Sequence, residues 1–269
     1  MTPRTAWEPY RPTADNPWDL RKAGHLLRRA GFGPTWAELQ QAVADGPDKA
    51  VSRLLAGGPA DPDFDRTSDF LASPRSLPAG TPGTQLAGWW LGRMLKTSHP
   101  LREKLTLFWH NHFATSLAKV RNARLMLGQY RLLYRHALGD FRELLRAMNT
   151  DPAMLVWLDA AESQKAKPNE NYARELMELF SLGIGHYGEK DIREAARAFT
   201  GHRVKDGQAT FDASQHDAGE KTVLGQTGKW AADDIVRICL DQPACPRFVV
   251  GKLYRFLVSE AEPHAPELV

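Results

Sequence analysis

The chain has 269 residues, 42% of them hydrophobic and 25% charged, with a formal net charge of +3. That is enough to bury a sizeable core, as one large domain or two modest ones, and the composition excludes a disordered or fibrous chain. No stretch approaches the ~20 apolar residues of a membrane span, and the N-terminus lacks the apolar core of a secretory signal. As written the chain starts in the cytoplasm, or its leader has been removed.

Residues 1–18 are proline-bearing and without periodicity, and read as an extended arm. A short helix follows from Asp19 to Ala30, closed by Gly31-Phe32-Gly33-Pro34. Thr35 caps the next one, with Glu38 three residues on as a capping box. It stops at Asp45-Gly46-Pro47, and Lys49 to Leu55 adds another turn or two. Residues 57–83, rich in Pro, Gly, Asp and Ser, are expected to form a long mobile loop. Periodic helices then follow at about 84–96, 100–113, 120–137, 140–148, 152–160, 169–182, 189–200, 232–241 and 246–258. The polar stretch 201–230 has room for a small β-hairpin around Ala209-Thr210-Phe211. Runs of β-branched residues with period two are almost absent. The expected fold is therefore all-α, an orthogonal or irregular bundle with one polar loop region, forming a single helical domain over 19–258 with a linker-like end at 259–269.

Cys239 and Cys245 are the only cysteines, and two thiols six apart make neither a zinc framework nor a disulfide scaffold. They read as unpaired, half-buried thiols of a reducing compartment. Charge is distributed unevenly. Between Arg93 and Arg146 eleven basic residues face three acids, a local net charge of +8 that leaves −5 for the remainder. Within that segment Arg121, Arg124, Arg131 and Arg135 recur on one helix. They suit a solvated basic face, a phosphate-binding stripe, or pairing with the protein's own acids, which is the expected outcome. Aromatic groups are not interleaved with them, so nucleic acid is the least favoured partner.

Two helices carry the residues most capable of chemistry. In Leu101–Phe113, His112 falls on the apolar stripe of Leu101, Leu105 and Phe108, while His110 points to the opposite face. His112 fits either a satisfied core histidine or a ligand or proton-transfer group. In Pro168–Phe180, Asn171, Arg174, Glu175 and Glu178 share one face. Two carboxylates three apart can chelate a cation or share a proton, although a solvated polar face explains them too. The two helices are expected to pack together, bringing His110 or His112 close to Glu175 or Arg174. Gly183-Ile-Gly185-His-Tyr-Gly188 matches G-x-G-x-x-G, but a helix precedes it where a dinucleotide fingerprint needs a strand, so it reads as a helix cap and turn. His216-Asp-Ala-Gly-Glu-Lys-Thr222 is a loop dense in ionisable groups.

The stretches His25-Leu-Leu-Arg-Arg-Ala-Gly-Phe-Gly33, Pro100–Ser116, Pro168–Phe180, Ala195-Ala-Arg-Ala-Phe-Thr-Gly201 and His216–Thr222 together resemble the bacterial family called domain of unknown function 1800, from about residue 18 onward. The resemblance implies no assigned activity. It implies proteins that are often exported and whose genes often neighbour that of a sulfatase-like protein, here the expected partner. His202 stands where such proteins commonly carry Trp, and they continue beyond Lys252–Leu257. The resemblance thus implies a truncated member, whose final helix, with Phe248, Leu253, Tyr254, Phe256 and Leu257, should leave an apolar patch exposed.

The leading expectation is a helical, envelope-associated or exported protein that works with a partner. The alternative is a metal-dependent or general acid/base enzyme. Its catalytic candidates are His110, His112, Arg174, Glu175 and Glu178, and its binding candidates are Asn111, Asn169, Asn171, His216, Asp217 and Lys221. A divalent metal would draw on His110, His112, Glu175 and Glu178.

Overall fold

The computed structural model describes residues 8–73, 75–78 and 80–261. Residues 1–7 of the expected arm and 262–269 of the expected linker lie outside them. Thirteen α-helices and two small hairpins account for the regular structure among the described residues, so the fold is predominantly helical. No described helix is long and apolar enough to cross a membrane. The described residues fall into two compact units. Among the described residues the first takes in 8–71, 87–108 and 250–261, and the second those of 72–86 together with 109–249.

In the first unit, Asp19 caps α1 (Leu20–Ala30) by accepting from the Lys22 amide at 2.9 Å. Thr35 and Glu38 close the expected capping box at the start of α2 (Trp36–Ala56). Gly46 breaks that helix with φ +77°, which a non-glycine residue would adopt only under strain, so the chain turns where Asp45-Gly46-Pro47 reads as a stop. Ala23, Ala42 and Ala50 form a small core, lined by half-buried Trp18, Leu26, Leu27, Leu39 and Val43.

The loop expected at 57–83 is interrupted by α3 (Pro62–Leu71). Asp61 accepts from the amides of Asp63 and Phe64, and Pro62 follows it with a φ already suited to a helix. The helix is held by α4 (Gly83–Lys96): Trp89 Nε1 donates to the Ser68 carbonyl, and Arg93 donates to the Ser68 hydroxyl. From α5 (Pro100–Phe113), Glu103 is fully buried, accepts from Trp90 Nε1 at 2.7 Å and lies 3.6 Å from Arg93. An enclosed carboxylate is tolerated only with such partners.

The second unit holds the larger core. It contains α6 (Leu117–Val120), α7 (Ala123–His136), α8 (Phe141–Asn149) and α9 (Pro152–Trp157). Then come α10 (Asn171–Glu175), α11 (Glu189–Ala198) and α12 (Ala232–Leu240), with α13 (Ala244–Leu257) beginning in this unit. Phe113, Leu133, Leu144, Leu145, Met148, Met154, Leu155, Tyr172, Phe180 and Phe199 are all buried to 2% exposure or less. After α11, β1 (His202–Lys205) pairs antiparallel with β2 (Gln208–Phe211), and β3 (Lys221–Val223) with β4 (Gln226–Gly228), so the polar stretch carries two hairpins. Cys239 and Cys245 are free thiols, more deeply buried than expected. Phe248, Leu253, Tyr254, Phe256 and Leu257 of α13 are each half-buried, and Phe256 packs on Phe108 at 5.2 Å, so they do not make the exposed patch expected of this helix.

Candidate functional site

The expected contact between the two motif helices forms, through a different atom pair. Beyond α10 the helix widens into a π-turn, Leu176–Ser181, where a regular helix was expected. Leu182 N reaches back five residues to the Met177 carbonyl, and the Ser181 hydroxyl donates to the Leu176 carbonyl. In that geometry the Phe180 carbonyl lies 3.0 Å from His112 Nε2. A carbonyl only accepts, so Nε2 carries the proton. His112 is 3% exposed and packs edge-on against Trp109 and Phe113. It therefore ties the two helices together from inside the core.

The opposite, outward face of α10 and the π-turn gathers the carboxylates. Arg174 spans Glu170 at 3.2 Å and both oxygens of Glu189 at 2.8 and 2.9 Å, instead of meeting a histidine. Tyr187 donates its phenol to Glu178 at 2.8 Å. Burial, and then the charge of Glu178, push the Glu175 carboxyl above its ordinary value, with Arg174 opposing. Burial lowers His110. Among the described residues no three His, Cys, Asp or Glu side chains come together to hold a metal ion, so His110, His112, Glu175 and Glu178 do not converge as one metal site. Asn111 is exposed on α5. The glycine motif behaves as a cap and turn: Gly183 and Gly185 have φ of +82° and +92°, and Gly188 opens α11.

The two C-terminal motifs lock onto each other. Arg197 donates to Asp217 at 2.7 Å and to Glu194 at 2.8 Å. The Asp217 amide donates to the Thr200 hydroxyl, and His216 Nδ1 donates to the Thr200 carbonyl at 2.9 Å. Lys221 is 1% exposed and spans the carbonyls of Asp217 and Gly219 at 2.5 and 2.9 Å. The Arg197 hydrogen bond holds Asp217 below the usual carboxylate range, and burial lowers Lys221. His202 meets Phe211 edge-on at 5.5 Å, and Phe211 in turn packs on His216. Asn169 and Asn171 also bond internally. Asn169 donates to the carbonyl of Asp159 and Asn171 to its carboxylate, which Lys119 meets at 2.8 Å.

One buried polar network escapes sequence reasoning. Asp151, at the start of α9, accepts from the amides of Ala153 and Met154 and from Gln129, which in turn receives Thr115. Burial pushes its carboxyl up to about 6 against those hydrogen bonds. Tyr172 donates to Asn149 at 2.7 Å beside it. The sequence places a helix start at 152, but no local signal marks the Asp151 that caps it as buried.

The basic stripe also departs from expectation. Arg121, Arg124, Arg131 and Arg135 are all exposed, and the guanidinium groups of Arg121, Arg131 and Arg135 meet no acid among the described residues. The internal neutralisation expected of those three does not form.

On the first unit, the outward face of α4 is apolar. Leu91 is 55% and Leu95 71% exposed, and Gly88 shares their face with Gly92 between them. Leu95 also lines a cavity of about 280 Å³ together with Phe32, Leu54 and Met94.

A family model described as a protein of unknown function, DUF1800, matches residues 25–269, and the chain belongs to that family. No curated protein and no solved structure matches it.

Proposed function

From membership of that family, we propose that the protein works by binding a partner protein through the outward face of α4. One observation carries the reading. A Cβ added at Gly88 or Gly92 would meet nothing within 4 Å, so the fold has no packing need for glycine there. Each glycine inside a helix costs about 1 kcal/mol relative to alanine. Two of them beside Leu91 and Leu95 leave a shallow apolar surface on which another helix can lie at close range. Exposed apolar side chains grouped in this way favour association. The sulfatase-like neighbour that the family resemblance suggests is the first partner to try, at the cell envelope or on the way there.

The test is quantitative affinity capture with the wild-type chain and a Leu91→Asp/Leu95→Asp variant, both checked for equal helicity. A protein held by the first and released by the second supports the reading. Identical capture profiles contradict it.

A second reading is general acid/base chemistry at Glu175 and Glu178. It is favoured by the raised Glu175 carboxyl beside a carboxylate that already accepts a phenol proton. Carbon-13 titration should find Glu175 above the ordinary carboxylate value and lower in Glu178→Gln. An ordinary value in the wild type would remove this reading.

A further inference from the structure

We propose that the outward face of α7 is a docking surface for an acidic segment of a partner polypeptide. The inference goes beyond the α4 reading, since it rests on a different element and different chemistry. The buried side of α7 is Ala123, Met126, Leu127, Gln129, Tyr130 and Leu133. Its exposed side is Arg124, Gly128, Arg131 and Arg135, in helical register, with Arg121 just before the helix. At 1.5 Å per residue the row from Arg124 to Arg135 extends roughly 16 Å. Within it the guanidinium groups of Arg131 and Arg135, and that of Arg121 just before the helix, meet no acid among the described residues. Asp140 caps α8 and Glu143 pairs with Arg146.

Gly128 is a second, independent observation. It sits in the middle of the row, an added Cβ there would meet nothing within 4 Å, and a helix-interior glycine lowers stability by about 1 kcal/mol. Nothing inside the molecule requires it. Its missing side chain leaves a notch in which an incoming backbone can approach α7, with the guanidinium groups of Arg131 and Arg135 beyond it and Arg121 before the helix to grip carboxylates in bidentate fashion.

The same surface argues against the other polyanions. Tyr130 is buried and Tyr134 is half-buried against it, so α7 offers no exposed aromatic ring on which bases could stack. It carries no exposed large apolar side chain to enter a bilayer either. A carboxylate-rich polypeptide needs neither.

The experiment titrates the full chain with poly-L-glutamate by fluorescence anisotropy. Duplex DNA and phosphatidylglycerol vesicles are run at equal charge concentration and moderate salt. Poly-L-glutamate should bind most tightly. Arg131→Glu/Arg135→Glu should weaken it at least tenfold, and Gly128→Leu severalfold without any change of charge, both variants keeping the wild-type helicity and Gly128→Leu melting no lower than the wild type. Tighter binding of DNA or vesicles overturns the proposal. So does unchanged poly-L-glutamate binding in the charge-reversal variant. Loss on charge reversal with no effect of Gly128→Leu would reduce the surface to diffuse attraction and sink the docking notch.

Discussion

The two units bury their side chains in different ways. The second closes a core of large residues, with Phe113, Leu133, Leu144, Tyr172 and Phe199 essentially inaccessible. The first packs a small alanine cluster and a few larger side chains such as Leu105 and Phe108, and leaves Trp36, Leu55, Phe70, Leu91 and Leu95 in solvent, as the second leaves Ile184 and Phe211. The motifs of the second unit bond mainly to one another, whereas the α4 face of the first presents the exposed apolar side chains Leu91 and Leu95. The contrast teaches that a sequence motif dense in ionisable residues can be scaffolding, while a plain run such as Gly88-Trp-Trp-Leu-Gly92 can present the surface proposed for binding.

Core truncation should expose the contrast most strongly. Leu133→Ala, at a fully buried site, is expected to lower stability by about 4 kcal/mol, against about 2 kcal/mol for Leu54→Ala in the first unit. Urea denaturation of both variants measures this, and equal losses would dissolve the distinction.

Next in size is the pH response of the second unit. The folded carboxyl of Asp151 titrates at about 6, above its ordinary 3.8, so the folded state holds the proton more tightly than the unfolded one. The contribution is therefore fully present at and below about pH 4, falls by roughly 3 kcal/mol as pH rises to 6, and is flat above that. Asp151→Asn keeps a capping oxygen and should abolish that slope. A variant with the wild-type slope would show that another group is responsible.

The glycines give the smallest and most discriminating effects. Gly183 has φ +82° and an added Cβ would lie 2.9 Å from the Phe248 ring, so Gly183→Ala should destabilise by about 1–2 kcal/mol. Gly92→Ala should instead stabilise by about 0.5–1 kcal/mol. Thermal melts of the two variants should move in opposite directions, and a loss at Gly92 would reveal a packing role and weaken the docking argument.

Much of the fold was legible because its signals are local. The box at Thr35 and Glu38, the break at Gly46 and the apolar stripe placing His112 inward all depend on neighbours within one or two turns. The segment 57–83 was misread because composition outweighed Asp61-Pro62, a helix start written plainly in two residues. The π-turn at Leu176–Ser181 carries no comparable signal, since its register is fixed by tertiary bonds such as that between His112 and the Phe180 carbonyl. The site was legible in part for the same reason. Periodicity put Arg174, Glu175 and Glu178 on one face, but it could not show that Arg174 turns to Glu189, fifteen residues on. Nor could it show that Asp217 and Lys221 fasten a loop.

The most direct test of the account is hydrogen exchange, read by mass spectrometry, on the protein alone and with the partner recovered by affinity capture. The account predicts new protection concentrated on residues 87–96 of α4, with 169–188 and 216–222 unchanged. Protection confined to 169–188 would contradict it and return function to the carboxylate face.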